Sequence, residues 1–147
     1  MLHSYTKLFV RIIWGTKDRF NYFIKEIRDI IKKYILDYAK ENNIEILSIN
    51  VQSDHWHFLI RLLSDQKVDE IIKRLKGESS HWINSENIIR PKFSWQKGYG
   101  AFSIISSHLE AVKNYIKNHD EHHMKVNFID EYQKILTKYC YSFGNND

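Results

Sequence analysis

Two hydrophobic periods alternate along the chain. Residues 5–14 put Leu8, Val10, Ile12 and Trp14 on one side and Lys7, Phe9 and Arg11 on the other, the two-residue repeat of a half-buried strand. Gly15-Thr16-Lys17-Asp18 breaks it. Apolar residues then recur at Phe23, Ile24, Ile27, Ile30, Ile31, Tyr34, Ile35 and Tyr38, the stripe of an amphipathic helix ending near Asn42-Asn43. Leu47, Ile49 and Val51 alternate as a second strand. A turn at Gln52-Ser53-Asp54 leads into a third, His55 to Leu62, and the two strands are expected to form a hairpin.

Ser64-Asp65-Gln66 is placed to cap a second helix with the stripe Val68, Ile71, Ile72, Leu75, Trp82 and Ile83, which Arg90-Pro91 interrupts. Gly98 and Gly100, among aromatics, predict a turn into a fourth strand. Ser106-Ser107 is expected to cap a third helix running through Leu109, Val112, Tyr115, Ile116 and His119. A last helix is striped by Phe128, Tyr132, Ile135 and Leu136. The order β-α-β-β-α-β predicts an α+β, ferredoxin-like antiparallel sheet with extra C-terminal helices, the first carrying Tyr115. One domain over residues 1–147 is expected, ordered from about 5 to 140. The first two helices should cover Leu8, Val10, Leu47, Ile49, Trp56 and Phe58. The opposite face is left to whatever follows strand four.

Composition narrows the class. No apolar run approaches the roughly 18–20 residues a membrane span needs, so no membrane partner is expected. The opening Met1-Leu2-His3-Ser4-Tyr5 lacks a charged-then-apolar leader, which predicts the cytoplasm. A single cysteine, Cys140, excludes an internal disulfide and a multi-cysteine zinc site. Net charge is +4, and residues 1–97 carry the basic excess while 98–147 hold 5 Lys and Arg against 6 Asp and Glu. That suits a polyanionic partner, although so small an excess also occurs on surfaces that bind nothing.

The candidate chemistry centres on His55-Trp56-His57. Residues i and i+2 of a strand share a face roughly 6.5 Å apart, so both imidazoles can grip one divalent cation if a third ligand arrives. Tyr115 and His119, four apart on one helix, face the same way. A phenol is a poor nucleophile at neutral pH unless a metal polarises its target. The inferred chemistry is attack by Tyr115 on a nucleic-acid phosphodiester, with His55, His57 and His119 as ligands. Plain structural roles stay open: Tyr115 as a packing aromatic, and His119, His122 and His123 as a solvated helix end. The histidines could also form a structural zinc site. Lys73, Arg74 and Lys76 on the second helix, with Arg11, Arg90 and Lys92, are candidate DNA contacts, or simply a solvated surface.

Ser53-Asp54-His55-Trp56-His57-Phe58-Leu59 resembles the HUH motif (His, bulky hydrophobe, His) of single-tyrosine transposases of the insertion sequence 200/605 group. The blocks Tyr5 to Lys17, Leu75 to Ser80, Trp95 to Ser103 and Val112 to Asn118 resemble the same family in order. Trp95-Gln96-Lys97-Gly98-Tyr99-Gly100-Ala101-Phe102-Ser103 and Glu121-His122-His123 are most similar to the branch associated with repetitive extragenic palindromes. The resemblance implies that His55 and His57 are metal ligands and that Tyr115 joins a DNA 5′ phosphate. It implies Mg²⁺ or Mn²⁺ as cofactor, single-stranded DNA with a hairpin as partner, and a homodimer that can share active sites between subunits. The family's third ligand is usually glutamine, and His119 stands there, which shifts preference toward softer ions. Alternatives are a domesticated palindrome-processing nuclease of the same family and a non-catalytic single-strand module stacking bases on aromatics such as Phe9.

Overall fold

The computed structural model describes residues 3–118 and 128–138. The chain divides into two compact units, Met1–Lys117 and Asn118–Asp147. The first runs β1 (Leu8–Gly15), α1 (Lys25–Glu41), β2 (Glu45–Val51), β3 (His55–Leu62), α2 (Val68–Ser85), β4 (Gly100–Ile104) and α3 (Leu109–Lys117). Short 3-10 turns sit at Lys17–Arg19 and Ser106–His108. The described part of the second unit is helix α4, Phe128–Lys138, along which the Phe128 and Tyr132 rings stack at 5.9 Å.

The four strands form one antiparallel sheet in the order β2-β3-β1-β4, as a ferredoxin-like β-α-β-β-α-β chain requires. In register, Val10 faces Ile60, Ile12 faces Phe58 and Trp14 faces Trp56, so one face of the two central strands is continuously apolar. Ile49 and Val51 extend it across β2. Ile31, Ile35 and Ala39 of α1 and Ile71, Ile72, Leu75 and Ile83 of α2 bury against it. Trp14, Trp56, Trp95, Phe23, Phe58 and Phe93 gather at one end, the Trp14 and Phe58 rings stacked at 4.9 Å. Tyr34 of α1 stacks on Trp82 of α2 at 4.0 Å and donates its hydroxyl to Glu78, which ties the two helices together.

Helix ends follow backbone chemistry. Asn43 adopts φ 56°, a left-handed conformation that Asn tolerates, and Ile44 N donates 2.8 Å to Ala39 O, closing α1 where the two asparagines predicted. Asn87 (φ 51°) closes α2 in the same way, with Ile88 N on Ile83 O.

Several local expectations are corrected. Leu8 is exposed because β1 starts there, at the edge of the helical cover. A bulge between Ile46 and Ser48 leaves Leu47 without a paired position, so it misses the core face. Ile24 and Ile30 are exposed; α1 turns Ile27, Ile31 and Ile35 inward instead. Neither Ser64-Asp65 nor Ser106-Ser107 makes a side-chain cap: α2 follows Lys67, and a 3-10 turn precedes α3. Gln66 works otherwise, accepting from Leu63 N and donating to Asn43 O. Phe9 is buried, so it cannot serve as an open stacking surface.

Candidate metal and nucleophile site

Alternation puts His55, His57, Leu59 and Arg61 on the face of β3 turned away from α1 and α2. His57 lies between Ile13 on β1 and Asn50 on β2, and His55 lies opposite Gly15, which has no side chain to crowd it. Both imidazoles are buried, with ring centroids 4.9 Å apart and planes at 74°. They share a face and a neighbourhood.

The hairpin supplies the support. Gln52 N donates 2.9 Å to His55 O to close the turn, and the Gln52 amide donates to Asn50 Oδ1 beside His57. Asp54 Oδ1 lies 2.6 Å from His55 Nδ1. A carboxylate there favours the proton on Nδ1, the hydrogen-bonding pattern by which an outer carboxylate fixes the tautomer of a metal-binding histidine. Sequence reasoning passed over Asp54, although an acid directly before the first histidine was a readable signal. The donor set fits a divalent cation: two buried imidazoles on one face, one of them oriented by a carboxylate.

Helix α3 belongs to this face. Ser48 Oγ on β2 donates 3.1 Å to Lys113 O, and α3 buries Val112 and Ile116. Tyr115, half-buried, has its ring over the guanidinium of Arg11, 5.1 Å from carbon to centroid. Arg11 is buried on β1 opposite Leu59 and Phe102. Because Leu59 is two residues beyond His57, Arg11 and His57 are diagonal neighbours, about 7–8 Å apart in such a sheet. Tyr115 therefore meets the histidine face through Arg11. His119 lies outside the described residues, as do His122, His123 and Cys140.

The basic candidates separate. Lys73 is exposed on α2, while Arg74 donates 2.6 Å to Asn42 Oδ1. Lys76 donates to Gln96 O (2.8 Å) and Gly98 O (2.9 Å) and approaches the Trp14 ring, and burial holds its ammonium below the usual lysine range. It clips the loop before β4. Exposed Arg90 and Lys92 border a groove of about 550 Å³ with Asn84, Asn87, Ile89 and Pro91.

Comparison with known proteins adds the following. A family model described as "Transposase IS200 like" matches residues 4–119. The ISDra2 transposase TnpA of Deinococcus radiodurans is 32% identical over 69 residues, covering 47% of this chain and 49% of that protein. The match thus spans about half the length of this curated relative. A crystal structure from Deinococcus radiodurans, of a protein put forward as a transposase, aligns with TM-score 0.62 and 26% identity over 80% of this chain and 94% of that one. A REP-associated tyrosine transposase bound to a REP hairpin aligns with TM-score 0.63 over 86% and 74% of the two chains. At 16% identity it speaks for the fold alone.

Proposed function

This chain belongs to the IS200-like transposase family, and from that premise we propose that it cleaves and rejoins single-stranded DNA through Tyr115, with His55 and His57 holding a divalent cation. The observation that carries the reading is the seating of Tyr115 on Arg11, on the same sheet face as the two histidines and within one compact unit.

His55 and His57 would hold Mg²⁺ or Mn²⁺, with His119 as the third ligand implied by its place four residues after Tyr115. Such an ion, when bound, polarises a phosphoryl oxygen and neutralises charge developing on the phosphate. The chain's own groups do the rest. Tyr115 Oη attacks the phosphorus and loses its proton to water; the bond from phosphorus to the 3′ oxygen breaks, and that oxygen takes up a proton and departs as a 3′-hydroxyl. The 5′ phosphate remains on the tyrosine. An incoming 3′-hydroxyl reverses the step, so bond energy is conserved without a nucleotide cofactor. Arg11, a cation beneath the ring, holds Tyr115 in place.

A hairpin in single-stranded DNA is the proposed recognition feature, supported by the solved relative bound to a REP hairpin. A homodimer acting in the cytoplasm, with sites shared between subunits, follows from the family resemblance. No helix among the described residues is long and apolar enough to cross a membrane. The test is incubation with a hairpin-bearing oligonucleotide and Mg²⁺ or Mn²⁺. A covalent protein–DNA adduct on a denaturing gel, lost in Tyr115→Phe, is expected; an adduct undiminished by that change refutes the assignment.

A further inference from the structure

The loop after β1 is stitched to the hairpin turn that supports the histidines. Thr16 N donates 2.8 Å to Asp54 O and Phe23 N donates 3.0 Å to Ser53 O, while Asp54 itself holds His55. Thr16 Oγ1 donates 2.8 Å to Phe20 O, so Phe20 is linked through Thr16 and Asp54 to His55. Asp18 (φ 55°) and Arg19 (φ 52°) are both left-handed, a conformation that Asp tolerates and that is uncommon for Arg.

This loop presents an aromatic ring to solvent. Phe20 is 65% exposed and its ring leans on Tyr22 at 5.1 Å; Tyr22 in turn packs edge-on against core Phe93 at 5.2 Å. Lys17 and Arg19, both exposed, precede Phe20 in the same loop, with Asp18 between them. An exposed aromatic that follows two cations in one loop suits a flat π surface joined to phosphates, and that is an unpaired nucleotide.

We infer that Phe20, Lys17 and Arg19 form a subsite for an unpaired stretch of the DNA strand, one base stacking on Phe20 while neighbouring phosphates meet Lys17 and Arg19. The inference rests on the single-stranded DNA reading above and adds to it the contact that holds the strand near the histidines. The two cations preceding the ring favour a nucleic acid over a second protein surface, for which the apolar ring alone would serve.

The experiment is fluorescence anisotropy of a labelled, hairpin-free oligonucleotide against the full chain, across a salt series. Phe20→Ala should weaken binding about tenfold and Phe20→Tyr should leave it near the wild-type value, since stacking tolerates any aromatic ring. The double change Lys17→Gln with Arg19→Gln should flatten the slope of log affinity against log salt by about 1.4. Phe20→Ala binding like the wild type, or Phe20→Ala altering self-association in sedimentation without altering DNA affinity, overturns the inference. Tyr115→Phe separates the two readings: if it keeps oligonucleotide affinity and Phe20→Ala loses it, the subsite stands whether or not the wild type forms an adduct.

Discussion

The guanidinium of Arg11 lies 5.1 Å from the centre of the Tyr115 ring, joining the first strand of the sheet to the helix that follows the last. Such a contact is worth about 0.5–2 kcal/mol, more as it is desolvated, and Arg11 is buried. Arg11→Gln should therefore slow adduct formation by about 3- to 30-fold in single-turnover assays while changing DNA affinity much less. Arg11→Lys should fall between, since it keeps the charge and loses the planar stack.

Asp54 would act on a cation held at the proposed site through His55. Asp54→Asn should weaken metal affinity by about 10- to 100-fold, the usual effect of removing an outer-shell carboxylate. Isothermal titration with Mn²⁺ reads this directly. Far-ultraviolet circular dichroism should stay unchanged, because the Thr16 bond to Asp54 uses the backbone carbonyl.

Chelation distinguishes a catalytic ion from a structural one. The apolar core built by α1, α2 and one sheet face uses neither histidine. EDTA should abolish the adduct and leave the thermal midpoint within a few degrees of its starting value. A collapse of the fold on chelation would mean that metal supplies folding energy.

Trp95 donates its indole N–H 2.9 Å to Ser79 Oγ, across the loop that α2 holds in place. Ser79 is fully buried, so Ser79→Ala leaves that donor without its partner. A loss of about 1–3 kcal/mol in urea denaturation is expected. Ser79→Thr, which keeps the acceptor, should lose less unless the added methyl overpacks the site.

Tyr34 titrates above the usual phenol value near 10, because burial and its bond to the Glu78 carboxylate both favour the neutral form. The folded state thus keeps a proton that the unfolded chain loses as pH rises. Its contribution is full below about pH 10 and declines above it. Wild type should lose stability from pH 9 to 11 more steeply than Tyr34→Phe, measured by thermal midpoints at each pH.

Much of this was legible in one dimension. Alternation in residues 8–14 and 55–62 assigns each side chain to a face, because the two-residue repeat of a strand depends on nothing beyond its neighbours. The shared side of His55 and His57, the stop at Asn42-Asn43 and the β-α-β-β-α-β order were all readable. Leu47 was not, since a bulge changes the phase of a strand and is set by its partner's register. Phe9 was misjudged for a related reason: the chain says which face a residue takes, but not whether something else covers that face.

The sequence by itself thus determined the elements, their order and the two-sided character of the central strands, all of which follow from local periodicity. Only the tertiary structure decided that Arg11 lies under Tyr115, that Lys76 clips a loop, and that Phe20 is linked to the turn bearing Asp54. These pairings join residues far apart in the chain. They come from strand order and packing, to which side-chain spacing along one segment is blind.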